Sequence, residues 1–418
     1  MAVTEEETIE LKFPFIELES AVIKIMVSFL DVTTLCRLDA AITNHTLRGH
    51  WLNAIKVSSS NALDAWKHHQ TLTSLQWLSS RQPRVESVTG DWSNLIKLPS
   101  TVVQLLQSIC CLPLTHLALQ TPTCFSDDDV EFLAAGSFVN LEHLEVTLHQ
   151  DVIPDRLSHL TKGCPNIRSF IVTGKEGSMS SSEQLRALVE GYPKLTCLDL
   201  GTGGRYLCDN DMALIAKNCP MLKKLSIGFP DYVTDIGLLR LGDCQLVEVT
   251  IEHPLVDVSA KGIVALIQKL PQLRSLTANL SGGSKSVASI IVALTTGCQN
   301  IENVKLDPSG YLDMEDRIET HRCFCAPFPK TLRPFLETCD KLKSLEIKSF
   351  FPALYVSRRL KQFFLIEKTD LLELKNCFSN VFIHIERVST GFEPYYEDYL
   401  LSKCWWIREK EIMSGVSK

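Results

Sequence analysis

The chain has 418 residues, a formal net charge of −7 and 45% hydrophobic side chains. It is too apolar for disorder and too long for one ordinary core. Its longest basic stretches, Lys223-Lys224 and Arg358-Arg359-Leu360-Lys361, are short solvated faces, so no nucleic-acid partner is expected.

The opening MAVTEEETIE is acidic and lacks the basic-then-apolar layout of a signal peptide. No run of about 18 apolar residues occurs, so no membrane partner is expected. Fifteen cysteines in such a chain are expected as reduced thiols, which implies cytoplasm and/or nucleus.

In chain order, Val22, Ile25, Met26, Phe29 and Leu30 form the stripe of an amphipathic helix. Thr33 or Thr34 can cap a second helix carrying Leu35 and Leu38. A third carries Leu47, Trp51, Leu52 and Ile55. These predict a helical unit over 10–56. Leu63, Trp66, Leu72, Leu75, Trp77 and Leu78 then predict a helical connector over 57–84 that welds this unit to the remainder of the chain.

The pattern L-x-x-L-x-L now repeats. It reads Leu114-Leu117-Leu119, Leu141-Leu144-Val146, Ile167-Phe170-Val172, Leu195-Leu198-Leu200 and Leu222-Leu225-Ile227. It goes on as Leu246-Val249-Ile251, Leu273-Leu276-Ala278, Ile301-Val304-Leu306 and Leu342-Leu345-Ile347, with a weaker copy from Val85. The steps between first positions are 27, 26, 28, 27, 24, 27 and 28, then 41, so an insertion is assigned to 307–332. Within L-x-L both apolar residues share one face of a strand. Helix-start signals come after the strands: Ser126-Asp127-Asp128-Asp129, Ser180-x-x-Glu183, Asp209, and Thr234-Asp235-Ile236-Gly237. Strand plus helix in one period is a coil of a leucine-rich solenoid, an α/β repeat fold assigned to 85–350. Its parallel strands line the concave face of a horseshoe and its helices lie outside. Cys164, Cys219, Cys244, Cys298 and Cys339 fall at the helix-to-strand corner, where a small apolar residue fits.

Residues 351–418 lose the repeat. Phe363–Ile366 and Val381–Ile385 read as strands, and Tyr395, Tyr396, Tyr399, Trp405 and Trp406 add aromatic bulk. A C-terminal cap over the last coil is the expectation, and folding over the hollow is the alternative.

No catalytic constellation is found, whether a Walker loop, G-x-S-x-G or H-E-x-x-H, so an enzyme is not expected and no cofactor is assigned. Gly201-Thr202-Gly203-Gly204 and Gly282-Gly283 read as turns, and His68-His69 as a solvated face. His321, Cys323 and Cys325 lack the four-ligand, C-x-x-C spacing of a zinc site and read as loop residues. Partner binding is therefore assigned to side chains flanking the inward pairs: His116, His143, Glu145, Asp199, Lys224 and Ser226, then Glu248, Thr250, Glu252, Asn279, Lys305, Glu346 and Lys348. A surface of that length suits a protein target.

Cys219-Pro220-Met221-Leu222 and Val233-Thr234-Asp235-Ile236-Gly237-Leu238 resemble the cysteine-containing leucine-rich repeats, which are common in substrate receptors of ubiquitin ligases. Residues 13–55 resemble an F-box. Phe13-Pro14 stands near its first element, and Ser28-Phe29-Leu30-Asp31 with Leu35 matches the next. The acid after the proline is displaced to Glu17, Ala40-Ala41-Ile42-Thr43-Asn44 replaces the usual Val-Cys-x-x-Trp, and tryptophan comes only at Trp51. The resemblance implies that Pro14, Leu30, Leu35 and Leu38 dock the small adaptor of a cullin-RING (SCF-type) ligase, with an unknown target protein held by the repeats. The alternative is a leucine-rich scaffold or inhibitor whose N-terminal helices only cap the array. An enzyme built around Cys323 is a third.

Overall fold

The structure, a computed structural model, describes residues 32–42, 48–49, 51–53, 59–64, 77, 80–81, 84–89, 113–119, 126–135, 138–147, 154–173, 181–204, 206–228, 232–252, 258–279, 283–307, 328–351, 378 and 380–389. Its strands are β1 (Ser59–Asp64), β2 (Arg84–Thr89), β3 (His116–Leu119), β4 (His143–Thr147), β5 (Ser169–Thr173) and β6 (Cys197–Asp199). They continue as β7 (Lys224–Gly228), β8 (Glu248–Glu252), β9 (Ser275–Asn279), β10 (Asn303–Asp307), β11 (Ser344–Phe351) and β12 (Phe382–Ser389). Helix α1 (Val32–Ala41) precedes them. Between strands run α2 (Asp127–Ala134), α3 (Pro154–Gly163), α4 (Ser182–Gly191), α5 (Asp209–Asn218), α6 (Asp235–Leu241), α7 (Ala260–Lys269), α8 (Gly283–Gly297) and α9 (Phe328–Thr338).

The twelve strands form one parallel sheet in strict sequence order, the leucine-rich-repeat arrangement. Register stacks the staircase residues into columns. Leu117, Leu144, Phe170, Leu198, Leu225, Val249, Leu276, Val304 and Leu345 are successive cross-strand partners, each at most 2% exposed. Burying a side chain of this size is worth about 1.5–3 kcal/mol. Each helix from α2 onward packs on the next, and their apolar faces close the same continuous core.

Corner carbonyls stitch the coils together. Thr115 O accepts from the N–H groups of Glu142 and His143, Arg168 O from Thr196 and Cys197, and Glu302 O from Lys343 and Ser344. Beside this column sit the corner cysteines, all five buried and free. The Cys298 thiol donates to Leu270 O at 3.3 Å and that of Cys164 to Leu133 O at 3.6 Å. Burial pushes Cys164 and Cys219 up to about 12. Coils without a cysteine place Phe138, Tyr192 or Leu270 there, each at most 1% exposed.

The Thr-Asp-x-Gly signal has a cause outside its own coil. Asp209 Oδ1 accepts from Thr234 N–H (2.8 Å) and Gly237 N–H (3.0 Å), and Thr234 Oγ1–H donates to Asp209 Oδ2 (2.7 Å). One coil on, Asp235 receives Ser259 N–H at 2.7 Å and the Ser259 hydroxyl at 2.6 Å. Gly237 is glycine because a Cβ there would lie 2.3 Å from Asp209 Oδ1.

Three expectations are corrected. Residues 59–64 of the connector assigned as helical are strand β1, because pairing with β2 overrides the local helical pattern. The box that caps α4 is Ser181–Gln184, one residue beyond the expected Ser180–Glu183: Gln184 N–H donates to Ser181 Oγ and Ser181 N–H to Gln184 Oε1. The last residues of the assigned 307–332 insertion belong to α9. The strand expected at Val381–Ile385 is present as β12, Phe382–Ser389, a twelfth parallel strand in register with the whole of β11. The weaker copy from Val85 is β2, with Val88 fully buried. His68, His69, His321, Cys323, Cys325, Phe363–Ile366 and the aromatics from Tyr395 to Trp406 lie outside the described residues, as does the first N-terminal helix. Gly201 has φ +47° in a single 3-10 turn closed by its N–H donating to Asp199 Oδ1 at 2.8 Å, which agrees with the turn reading. No helix among the described residues is long and apolar enough to cross a membrane.

Candidate interaction surface

Alternation along each strand turns every second side chain away from the helices, so the open sheet face is built in rows. The first row runs His116, His143, Ser169, Cys197, Lys224, Glu248, Ser275, Asn303, Ser344 and Phe382. The second runs Ala118, Glu145, Ile171, Asp199, Ser226, Thr250, Thr277, Lys305 and Glu346. In the third, Glu252 pairs with Gly228, Asn279 with Asp307 and Lys348 with Glu386. Every residue assigned to partner binding thus lies on this face by register. The assignment passed over Ser169, Cys197, Ser275, Asn303 and Ser344. Each directly precedes the inward residue of its strand, a position legible from alternation.

The face holds its own charges in pairs. Lys224 Nζ lies 2.7 Å from Glu248 Oε2, and Lys305 Nζ 3.4 Å from Glu346 Oε2. Such exposed pairs are worth about 0–1 kcal/mol, so a partner's charge can replace either member at little cost. At the β3–β4 end, His116 and His143 stack with ring centroids 5.6 Å apart and planes 28° apart. Burial, and after it the neighbouring His116, lowers the His143 pKa, and Glu145 opposes the shift.

The helical unit meets the solenoid at one buried carboxylate. Asp39, 2% exposed, accepts from Trp77 Nε1–H at 2.8 Å and Arg81 Nε–H at 3.0 Å, and Arg48 Nη2 stands 3.5 Å away. Trp77 packs against both the solenoid core and a small cluster of Leu35 and Trp51 with Leu38, Ile42 and Leu52. The expected weld is therefore present at Trp77. Leu35 is corrected: at 1% exposure it is enclosed by this cluster and cannot itself touch an adaptor. Leu38 is half-buried against the same cluster, while Arg37, Ala40 and Ala41 are outside or at its margin, with Arg37 and Ala40 exposed. Pro14 and Leu30 lie outside the described residues. No group of three His, Cys, Asp or Glu side chains suited to a metal ion comes together among the described residues.

These features define a leucine-rich-repeat solenoid with an open, polar sheet face. No protein-family model matches the chain, and no curated protein matches it. Solved structures that resemble it include the Rad7 and Elc1 complex of yeast, with 12% identity and a TM-score of 0.48 over 87% of this chain and 92% of that one. Another is the leucine-rich repeat-containing protein LegL7 of Legionella pneumophila, with 14% identity and a TM-score of 0.41 over 85% of this chain and 99% of that one. Neither likeness carries an argument about function.

Proposed function

We propose that the chain is the substrate-recognition adaptor of a cullin-RING (SCF-type) ubiquitin ligase. The F-box-like helices dock the ligase adaptor, and the open sheet face holds the target for ubiquitin transfer catalysed by other subunits. The chain itself performs no catalysis, and its place of action is the cytoplasm and/or nucleus. The observation that carries the reading is the Asp39 junction: a helical unit resembling an F-box is fastened to the first coils, and the sheet face beyond is left open. A receptor needs that rigidity to hold its target at a set distance from the transfer machinery.

The test is co-purification with the ligase adaptor. Arg37→Glu with Ala40→Arg, both on the exposed face of α1, and Leu30→Asp should each abolish capture while melting stays unchanged. Thr250→Arg on the sheet face should keep adaptor capture and lose target capture. Failure of the wild-type chain to bind any such adaptor would overturn the reading. The enclosure of Leu35 favours a second one, a scaffold or inhibitor whose helices merely cap the array. On that reading the α1 surface variants change nothing and the sheet-face variant still loses its partner.

A further inference from the structure

The geometry points to a two-imidazole binding site for a divalent transition metal ion on the open sheet face, formed by His116 and His143. The two residues are direct cross-strand partners on a parallel sheet, so their Cα positions are held by backbone hydrogen bonds rather than by side-chain packing. His116 Nδ1 lies 2.8 Å from Thr115 Oγ1, and His143 Nδ1 lies 2.8 Å from Ser169 Oγ.

Thr115 Oγ1 also lies 3.1 Å from Glu86 O; with its hydroxyl turned to that carbonyl, its oxygen accepts from His116 Nδ1–H and leaves a lone pair on His116 Nε2. Ser169 Oγ stands in the same relation to His143 Nδ1, and an N–H donated there leaves the lone pair of His143 on Nε2. Neither Nε2 has a hydrogen-bond partner among the described residues. An imidazole whose far N–H is tied down in this way is the arrangement that orients a metal ligand.

Spacing and charge agree. Two imidazoles bound through Nε2 at the usual zinc–nitrogen length of about 2.0–2.1 Å place their ring centres about 5 Å apart at a tetrahedral angle. The rings here are 5.6 Å apart, close to that spacing, and opening the angle between their planes from 28° brings both lone pairs onto one ion. Glu145 lies two residues along β4 on the same face, and a carboxylate beside the pair favours a cation. The remaining coordination positions face the open side, available to water or to a side chain of a bound protein.

The experiment titrates the full chain, stripped with chelator and kept in a non-thiol reductant, with Ni2+. That ion suits imidazole, whereas Zn2+ would also report on the thiols. Calorimetry should give one ion per chain. His116→Gln and His143→Gln should each weaken binding at least tenfold, and the double variant should abolish it. Ser169→Ala keeps both imidazoles and should still weaken binding by about 10–100-fold, the usual loss for an orienting partner. All three residues are on the open face, and circular dichroism and melting without metal check that the variants fold. No saturable binding by the wild type, or undiminished binding by the double variant, would overturn the site.

Discussion

Replacing Asp209 with alanine removes three hydrogen bonds that tie one coil to the next, those from Thr234 N–H, Thr234 Oγ1–H and Gly237 N–H. Hydrogen bonds to a charged group contribute about 1.5–3 kcal/mol each, but this carboxylate is half-buried and water can replace part of the set, so a total loss of about 2–4 kcal/mol is expected. Gly237→Ala alone also destabilises. Its Cβ would meet Asp209 Oδ1 at 2.3 Å and Asp209 Cα and Cγ at 3.1 Å, an overpacking cost of about 1–3 kcal/mol. In the Asp209→Ala background Oδ1 and Cγ are gone, and alanine improves helix propensity at that site by about 1 kcal/mol. The double variant should therefore be more stable than the sum of the singles by about 1–2 kcal/mol. Urea unfolding of the four proteins measures this coupling. Hydrogen exchange should show lost protection at Thr234 and Gly237 in Asp209→Ala, with the amides of β3 and β4 unchanged, since coils contact only their neighbours. Additivity within about 0.5 kcal/mol, or protection loss spread along the whole sheet, would refute the account.

The corner thiols predict alkaline sensitivity. The folded chain holds Cys164 and Cys219 up to about 12, whereas an unfolded thiol ionises near 9, so stability is full below that value and falls as pH climbs above it. At pH near 8 both should resist thiol reagents until urea is added, and rapid labelling of the folded chain would contradict their placement. His143 predicts the opposite flank. Burial lowers its folded pKa below the ordinary 6.5, so its contribution is complete above 6.5 and is lost as pH falls and the unfolded chain takes up the proton first. Melting curves between about pH 7.5 and about pH 5.5 should show about half or more of this acid loss relieved by His143→Gln, and an unchanged acid flank would contradict the burial of its ring. Asp39→Ala leaves Trp77 Nε1 without its acceptor and two arginines without their carboxylate, at a cost of about 1–3 kcal/mol because both arginines are partly exposed. Tryptophan fluorescence should shift red as Trp77 loosens; an unshifted spectrum would count against the junction.

The solenoid is readable wherever both inward positions of a strand are apolar. In β3 to β11 they are, since each must enter the shared core. The two outer strands fall outside the leucine pattern for local reasons, although Val381–Ile385 reads as a strand by itself. Ile383 and Ile385 pair with Leu345 and Ile347, so Asn380 occupies the place of a first leucine and breaks the pattern. In β1 only Leu63 carries the motif, and Leu63 with Trp66 mimics a helical stripe. The α4 cap slips by one because Ser180, Ser181 and Ser182 are consecutive and Glu183 and Gln184 can each close a box. Gly237 is visible in its motif, but its reason is a carboxylate 28 positions earlier. His116 and His143 share a repeat position and so are readable as neighbours. The hydroxyls that set their rings are cross-strand or backbone-linked partners that no local pattern reveals. The side of α1 to which Leu35 turns depends on Trp51 and Trp77, far along the chain.

The ladder between β10 and β11 runs unbroken from Asn303–Ser344 to Leu306–Ile347, although twenty residues of sequence stand between Asp307 and Phe328. The ladder thus closes across a longer stretch of chain, and the entropy of closure grows only slowly with length. Asp307 ends β10 opposite Asn279, so grafts made after it would be carried beside the recognition rows while the coils remain stacked. A reporter or a second binding module could be spliced at that crossing with the array keeping its pitch.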